Sequence, residues 1–142
     1  MKHSRTLVAI TAGTLFYVLL DYSAHALLQH FSSPGLITFW TVLSSPLGML
    51  ATLLPGFMAG WLSRNHGIIS GFLVGLVGSG AHSVLTGSAA QYFQVNDSQV
   101  AVSVAWFLVM CVVQGLYSAA AGGSAQLMRS NSSFKADGFA AA

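Results

Sequence analysis

Four long apolar runs, joined by links too short to build anything of their own, leave this chain few ways to fold. A helix needs about 20 mostly apolar residues to cross about 30 Å of hydrocarbon. Four stretches qualify: 7–28, 36–62, 67–87 and 100–127. The links are Phe31-Ser32-Ser33-Pro34-Gly35, then Ser63-Arg64-Asn65-His66, then a longer loop over 88–99. Such links make neighbouring spans antiparallel. The expectation is an all-α membrane protein: a four-transmembrane-helix antiparallel bundle with short loops, one integral membrane domain over 1–142. The small, polar stretch 129–142 reads as a mobile tail. A β-barrel is excluded, because it needs alternating segments of about ten residues rather than continuous apolar runs.

Composition says the same thing about solvent. Only 6% of the 142 residues are charged, against roughly 25% in soluble domains, and mean hydropathy is +0.70. So few charges cannot cover a soluble surface. Disorder is excluded by the same numbers. Cys111 is the sole cysteine, which excludes a disulfide scaffold. Net charge is +2 with no basic run, which argues against nucleic-acid binding. The expected partners are the lipid bilayer and either further copies of the chain or another membrane protein.

Orientation follows from the cations. Lys2 and Arg5 precede the first span, Arg64 lies between the second and third, and Arg129 and Lys135 follow the fourth. All five fall on one side, and cations in short flanks stay cytoplasmic. Both termini are therefore expected in the cytoplasm. Trp40 and Trp106 fall near the outer interface and Trp61 near the inner one, as aromatic belts require. One rival reading treats the first span as a cleaved signal peptide, since Ala24-His25-Ala26 matches a cleavage pattern. The polar stripe on that span argues instead for a retained helix packed inside the bundle.

At 100° per residue, Thr11, Thr14, Tyr17, Asp21 and His25 share one side of the first span. A lipid-facing helix would not collect its polar groups this way. In the third span Gly67, Gly71, Gly75, Gly78, His82 and Thr86 share one narrow face. Glycines at this spacing let helix backbones approach closely. This makes the third span the expected central helix. The second span lines up Thr41, Ser45, Gly48, Thr52 and Ala59, and adds Gly56 and Gly60. The fourth offers Gly115, Ala119 and Gly123, with Gln114 as glue between helices. Pro46 and Pro55 remove backbone donors from the second span, which predicts a kinked helix, or a broken one lining a site.

The run Pro55-Gly56-Phe57-Met58-Ala59-Gly60-Trp61-Leu62-Ser63-Arg64, continued by His66, Gly67, Gly71 and Gly75, resembles the central hairpin of small, uncharacterised bacterial integral membrane proteins with four spans. The resemblance covers about 25 residues, counted as a fraction of a four-span bundle. It implies a bacterial inner (plasma) membrane location and no activity or catalytic residue.

Asp21 is the one acid expected within the membrane. A carboxylate there costs about 2.5–3.5 kcal/mol on insertion scales, so it needs a partner or a task. His25 is one turn away on the same helix, and His82 lies at a similar depth in the third span. Asp21, His25 and His82 form the candidate intramembrane polar site. A buried Asp–His contact that fixes helix register is one reading, and a proton or ion relay is another. One oxygen and two nitrogens would also make an open metal site, but the spacing matches no metal motif, so neither metal nor cofactor is expected. No Ser–His–Asp order, phosphate loop or carboxylate pair appears, and an enzyme is not expected. The functional expectation is a multi-pass membrane protein with a structural or accessory role. The alternative is a proton-coupled transporter or channel for small solutes that uses Asp21, His25 and His82.

Overall fold

The computed structural model describes residues 2–30, 37–63, 65–87 and 100–140. They form four helices: α1 (Lys2–His30), α2 (Ile37–Ser63), α3 (Gly67–Leu85) and α4 (Val100–Ala140). The chain is an all-α bundle. Three stretches, Ser4–Ala24, Gly67–Leu85 and Ser103–Asn131, are long and apolar enough to cross a membrane. Helix α2 has 27 residues, or about 40 Å at 1.5 Å per residue. Its part Gly48–Ser63 is apolar, while the side chains of 37–47, including Thr41 and Ser45, lie outside the described residues.

The protein is inside-out by the standards of a soluble domain. Its buried apolar residues are mostly small: Ala9, Ala51, Ala59, Ala119 and Ala125, with Val74 and Tyr17. Large apolar residues such as Leu15, Leu19, Ile68, Val77, Leu108 and Leu116 face outward. In water these would be adhesive patches. In lipid they are the solvated surface, and association falls to small residues packed closely. The protein is membrane-embedded.

Neighbouring helices alternate in direction. Helix α3 packs on α1, α2 and α4, and α2 also packs on the other three, whereas α1 and α4 form no packed pair. The centre is therefore shared by α2 and α3, where sequence alone favours α3. The tightest seam follows a four-residue step on α4: Gln114, Ser118, Gly122 and Gln126. A Cβ at Gly75 would lie 2.5 Å from Gln114 O, at Gly71 2.4 Å from Ser118 O, and at Gly67 2.4 Å from Gly122 O. Gly56 and Gly60 of α2 meet the same line, at 2.3 Å from Ser118 Oγ and 2.3 Å from Gly122 O. All five glycines thus stand where only hydrogen fits.

Gly78 leaves this seam. Its Cβ would lie 2.6 Å from Tyr17 Cγ of α1, so this glycine receives a ring and not a backbone. The contact line on α1 is Ala9, Gly13, Tyr17 and Asp21, and Thr11 is exposed. The polar stripe is corrected accordingly: the four-residue step through Tyr17 and Asp21 runs back to Gly13 and Ala9, and Thr11 lies about 200° from Ala9. On α4 the contact glycine is Gly122 in place of Gly123, whose added Cβ would meet only the Ile68 side chain.

Two further expectations change. Helix α2 runs unbroken through Pro46 and Pro55. Pro55 is fully buried, and Thr52 Oγ1 donates back to Gly48 O at 3.1 Å in the turn before it. Helix α4 does not stop near Leu127, and the stretch read as a tail continues it to Ala140. That stretch contains no proline, and extending an existing helix requires no new nucleus.

The end of the bundle with the α2–α3 turn is clasped by α4. Gln126 Oε1 accepts the Gly67 N–H at 2.7 Å, and Gln126 Nε2 donates to Asn65 O at 3.3 Å. His66 offers no side-chain cap to α3, so Gln126 takes that role from another helix. Ser70, fully buried, donates to His66 O at 2.8 Å and sits 3.0 Å from Ser63 Oγ. Arg129 donates to Trp61 O and lies over the Trp61 ring.

Candidate functional site

Helices α1 and α3 run parallel, so the Tyr17–Gly78 contact sets what meets one turn further on. Four residues beyond each stand Asp21 and His82. Asp21 Oδ2 lies 3.2 Å from His82 Nδ1. Both side chains are partly buried. The pair is close enough for charge compensation, but the approach is not aligned as a hydrogen bond: His82 Nδ1 is buried without a hydrogen-bond partner among the described residues. Thr14 Oγ1 and Ser118 Oγ share that condition.

The pair borders a cavity of about 190 Å³ in the gap between α1 and α4, with α3 as its wall. Tyr17 and Asp21 come from α1, Ser79, His82 and Ser83 from α3, and Phe107, Met110, Cys111 and Gln114 from α4. The volume suits a few waters or one small solute. Its lining offers a carboxylate, an imidazole, hydroxyls and an amide beside softer apolar groups.

The cavity is closed toward the glycine seam. Tyr17 is only 3% exposed, its ring held over Gly78. Its hydroxyl interacts with Thr52, and Thr52 Oγ1 donates to Gln114 Oε1 at 3.0 Å. Tyr17, Thr52 and Gln114 thus link α1, α2 and α4 across the cavity floor. Beneath it Gly13 packs on Val74 and Ala59, where an added Cβ would lie 2.7 Å and 3.0 Å away.

Of the three residues the sequence singles out, Asp21 and His82 are brought together. His25 lies on α1 one turn beyond Asp21, its side chain outside the described residues. Sequence reasoning placed Gln114 as interhelical glue and Cys111 as packing, yet both line the cavity. Tyr17 and Gly78 carry the signal for this arrangement: a large polar aromatic on one helix and a glycine at matching depth on another. Among the described residues no three His, Cys, Asp or Glu side chains converge on a metal position. The six glycines expected at helix contacts divide by partner. Gly56, Gly60, Gly67, Gly71 and Gly75 face α4, and Gly78 faces α1.

Asp21 and His82 suit proton exchange. Imidazole changes charge near neutral pH, and a carboxylate beside it in a low-dielectric site couples its charge to that change. The cavity gives such a proton a polar surrounding on one side, and the Tyr17–Thr52–Gln114 floor blocks the other. Comparison with protein-family models, with curated proteins and with solved structures finds no match to this chain.

Proposed function

We propose that this protein is a small proton-coupled transporter or channel that carries a proton, alone or with a small polar solute, at Asp21 and His82. The observation that carries this reading is their 3.2 Å contact at the edge of a polar intramembrane cavity. A pair needed only to hold helix register would favour full enclosure, since each unpaired polar atom in hydrocarbon is costly. The cavity is blind at Tyr17, Thr52 and Gln114, so passage requires that floor to open. Asp21 and His82 hold and release the proton, Tyr17 and Gln114 separate the two sides, and the α4 seam provides a rigid base. No catalytic role is assigned. The orientation proposed is both termini cytoplasmic, in a bacterial inner membrane, with Asp21 and His82 in the outer half. The one-sided cations and the sequence resemblance support it.

Proton flux into liposomes containing the purified protein and a pH-sensitive dye tests the proposal. Flux above that of empty liposomes is expected in the wild type, with its loss in Asp21→Asn and its retention in Cys111→Ser. Wild-type flux at the empty-liposome level, or equal flux in Asp21→Asn, would overturn it. A structural or accessory role has its own support in the five-glycine seam, which shapes a bundle with little chain outside the membrane.

A further inference from the structure

The geometry points to a site for an anionic phospholipid at the end of the bundle that carries the α2–α3 turn. A groove of about 530 Å³ runs between α1 and α2, lined by Phe16, Leu54, Phe57, Met58, Trp61 and Leu62. It is wholly apolar until it nears the turn, where its chemistry changes. The Arg129 guanidinium lies 5.8 Å from the centroid of the Trp61 ring and donates to Trp61 O. Phe57 stacks on Trp61 at 6.1 Å between centroids, extending the aromatic surface inward. An apolar slot the width of an acyl chain thus begins under an aromatic ring with a cation above it.

Charge selects the occupant. Arg5 is exposed on α1 at the same end, and the sequence adds Lys2 and Arg64 there. Among the described residues the one acidic side chain is Asp21, in the opposite half. A second copy of this chain in the same orientation would bring its own arginines to this level, so like charges oppose a homotypic contact. A phospholipid with net negative charge supplies both parts: an acyl chain for the groove and a phosphate for Arg129. Planar guanidinium groups match phosphate oxygens in pairs, and basic pockets at helix ends bind anionic headgroups.

Trp61 reports on the site directly. With Trp40 and Trp106 replaced by phenylalanine, Trp61 is the only fluorophore of its kind in the chain. The protein is placed in vesicles containing brominated phosphatidylglycerol or, separately, brominated phosphatidylcholine at equal mole fraction, and quenching is compared. Enrichment of the anionic lipid at Trp61 by about fivefold is expected, the effect of one cation near a charged membrane surface. Arg129→Gln should bring the two lipids to parity. Equal quenching in the protein that keeps Arg129 overturns the proposal, whatever the variant does. So does an anionic preference of undiminished size in Arg129→Gln, which would reflect only the general basic character of this end.

Discussion

Alanine at Gly75 and alanine at Gly80 add the same methyl group to the same helix, and the bundle requires opposite outcomes. At Gly75 the new Cβ would stand 2.5 Å from Gln114 O, 2.6 Å from Ser118 Cβ and 2.9 Å from Gly115 Cα. All three atoms belong to α4 and two are backbone, so no side chain can swing away. Ordinary contact begins at 3.4 Å, which leaves the methyl about 0.9 Å too close, a distance at which repulsion is steep. The helices must part, loosening Gly71 and Gly67 along the same seam. At Gly80 nothing lies within 4 Å. Alanine is the better helix former by about 0.8–1.0 kcal/mol, and at Gly80 that is the whole effect, a gain of about 0.4–1 kcal/mol. At Gly75 the same gain meets an overpacking cost of about 1–3 kcal/mol plus lost contacts along the seam. Unfolding in mixed micelles with rising dodecyl sulfate, followed by circular dichroism, ranks the variants. Gly80→Ala should match or exceed wild type, with Gly75→Ala below both. A Gly75→Ala protein as stable as Gly80→Ala would refute the close α3–α4 approach.

Gln126→Leu keeps volume but removes the acceptor of the Gly67 N–H and the donor to Asn65 O. A loss of about 1–2 kcal/mol is expected, with faster hydrogen exchange at the Gly67 amide, and unchanged exchange would show that α3 holds its first turn unaided. Topology is read by reporter fusions after Asn65 and after Asn96: alkaline phosphatase should be active only at the second, and activity only at the first would reverse the proposed orientation.

The helices were legible because the bilayer imposes one length and one chemistry on every span. Their partners were less so. A glycine face announces close approach but not which helix approaches. Gly67, Gly71 and Gly75 read as one face with Gly78, yet the first three meet α4 and the last meets Tyr17. Gly122 escaped notice beside Gly123 because a one-residue shift turns a helix face by about 100°, and glycines side by side give no hint which faces inward. The continuation of α4 past Leu127 was hidden by polar composition, which marks the end of an apolar span without marking the end of a helix. For the candidate site, the depth of Asp21 and His82 could be counted from sequence. Their 3.2 Å contact could not, because it depends on the pairing of α1 with α3.

The position of the cavity follows from where the close packing ends. From Gly67 to Gly75, α3 presents hydrogen atoms to α4, and α4 answers with Gly122, Ser118 and Gly115. Beyond that level the same two helices carry Ser79, His82 and Ser83 on one side and Cys111, Met110 and Phe107 on the other. Larger side chains hold backbones apart, since close approach in lipid depends on small residues. Helix α1 does not fill the opening, because Gly78 draws the Tyr17 ring onto α3 and leaves α1 without a packed contact to α4. The seam and the cavity are thus two parts of one pattern of side-chain size. Small residues at the turn end fix the helices, and their absence in the other half leaves room for a polar pair that a uniformly glycine-packed bundle would have no space to hold.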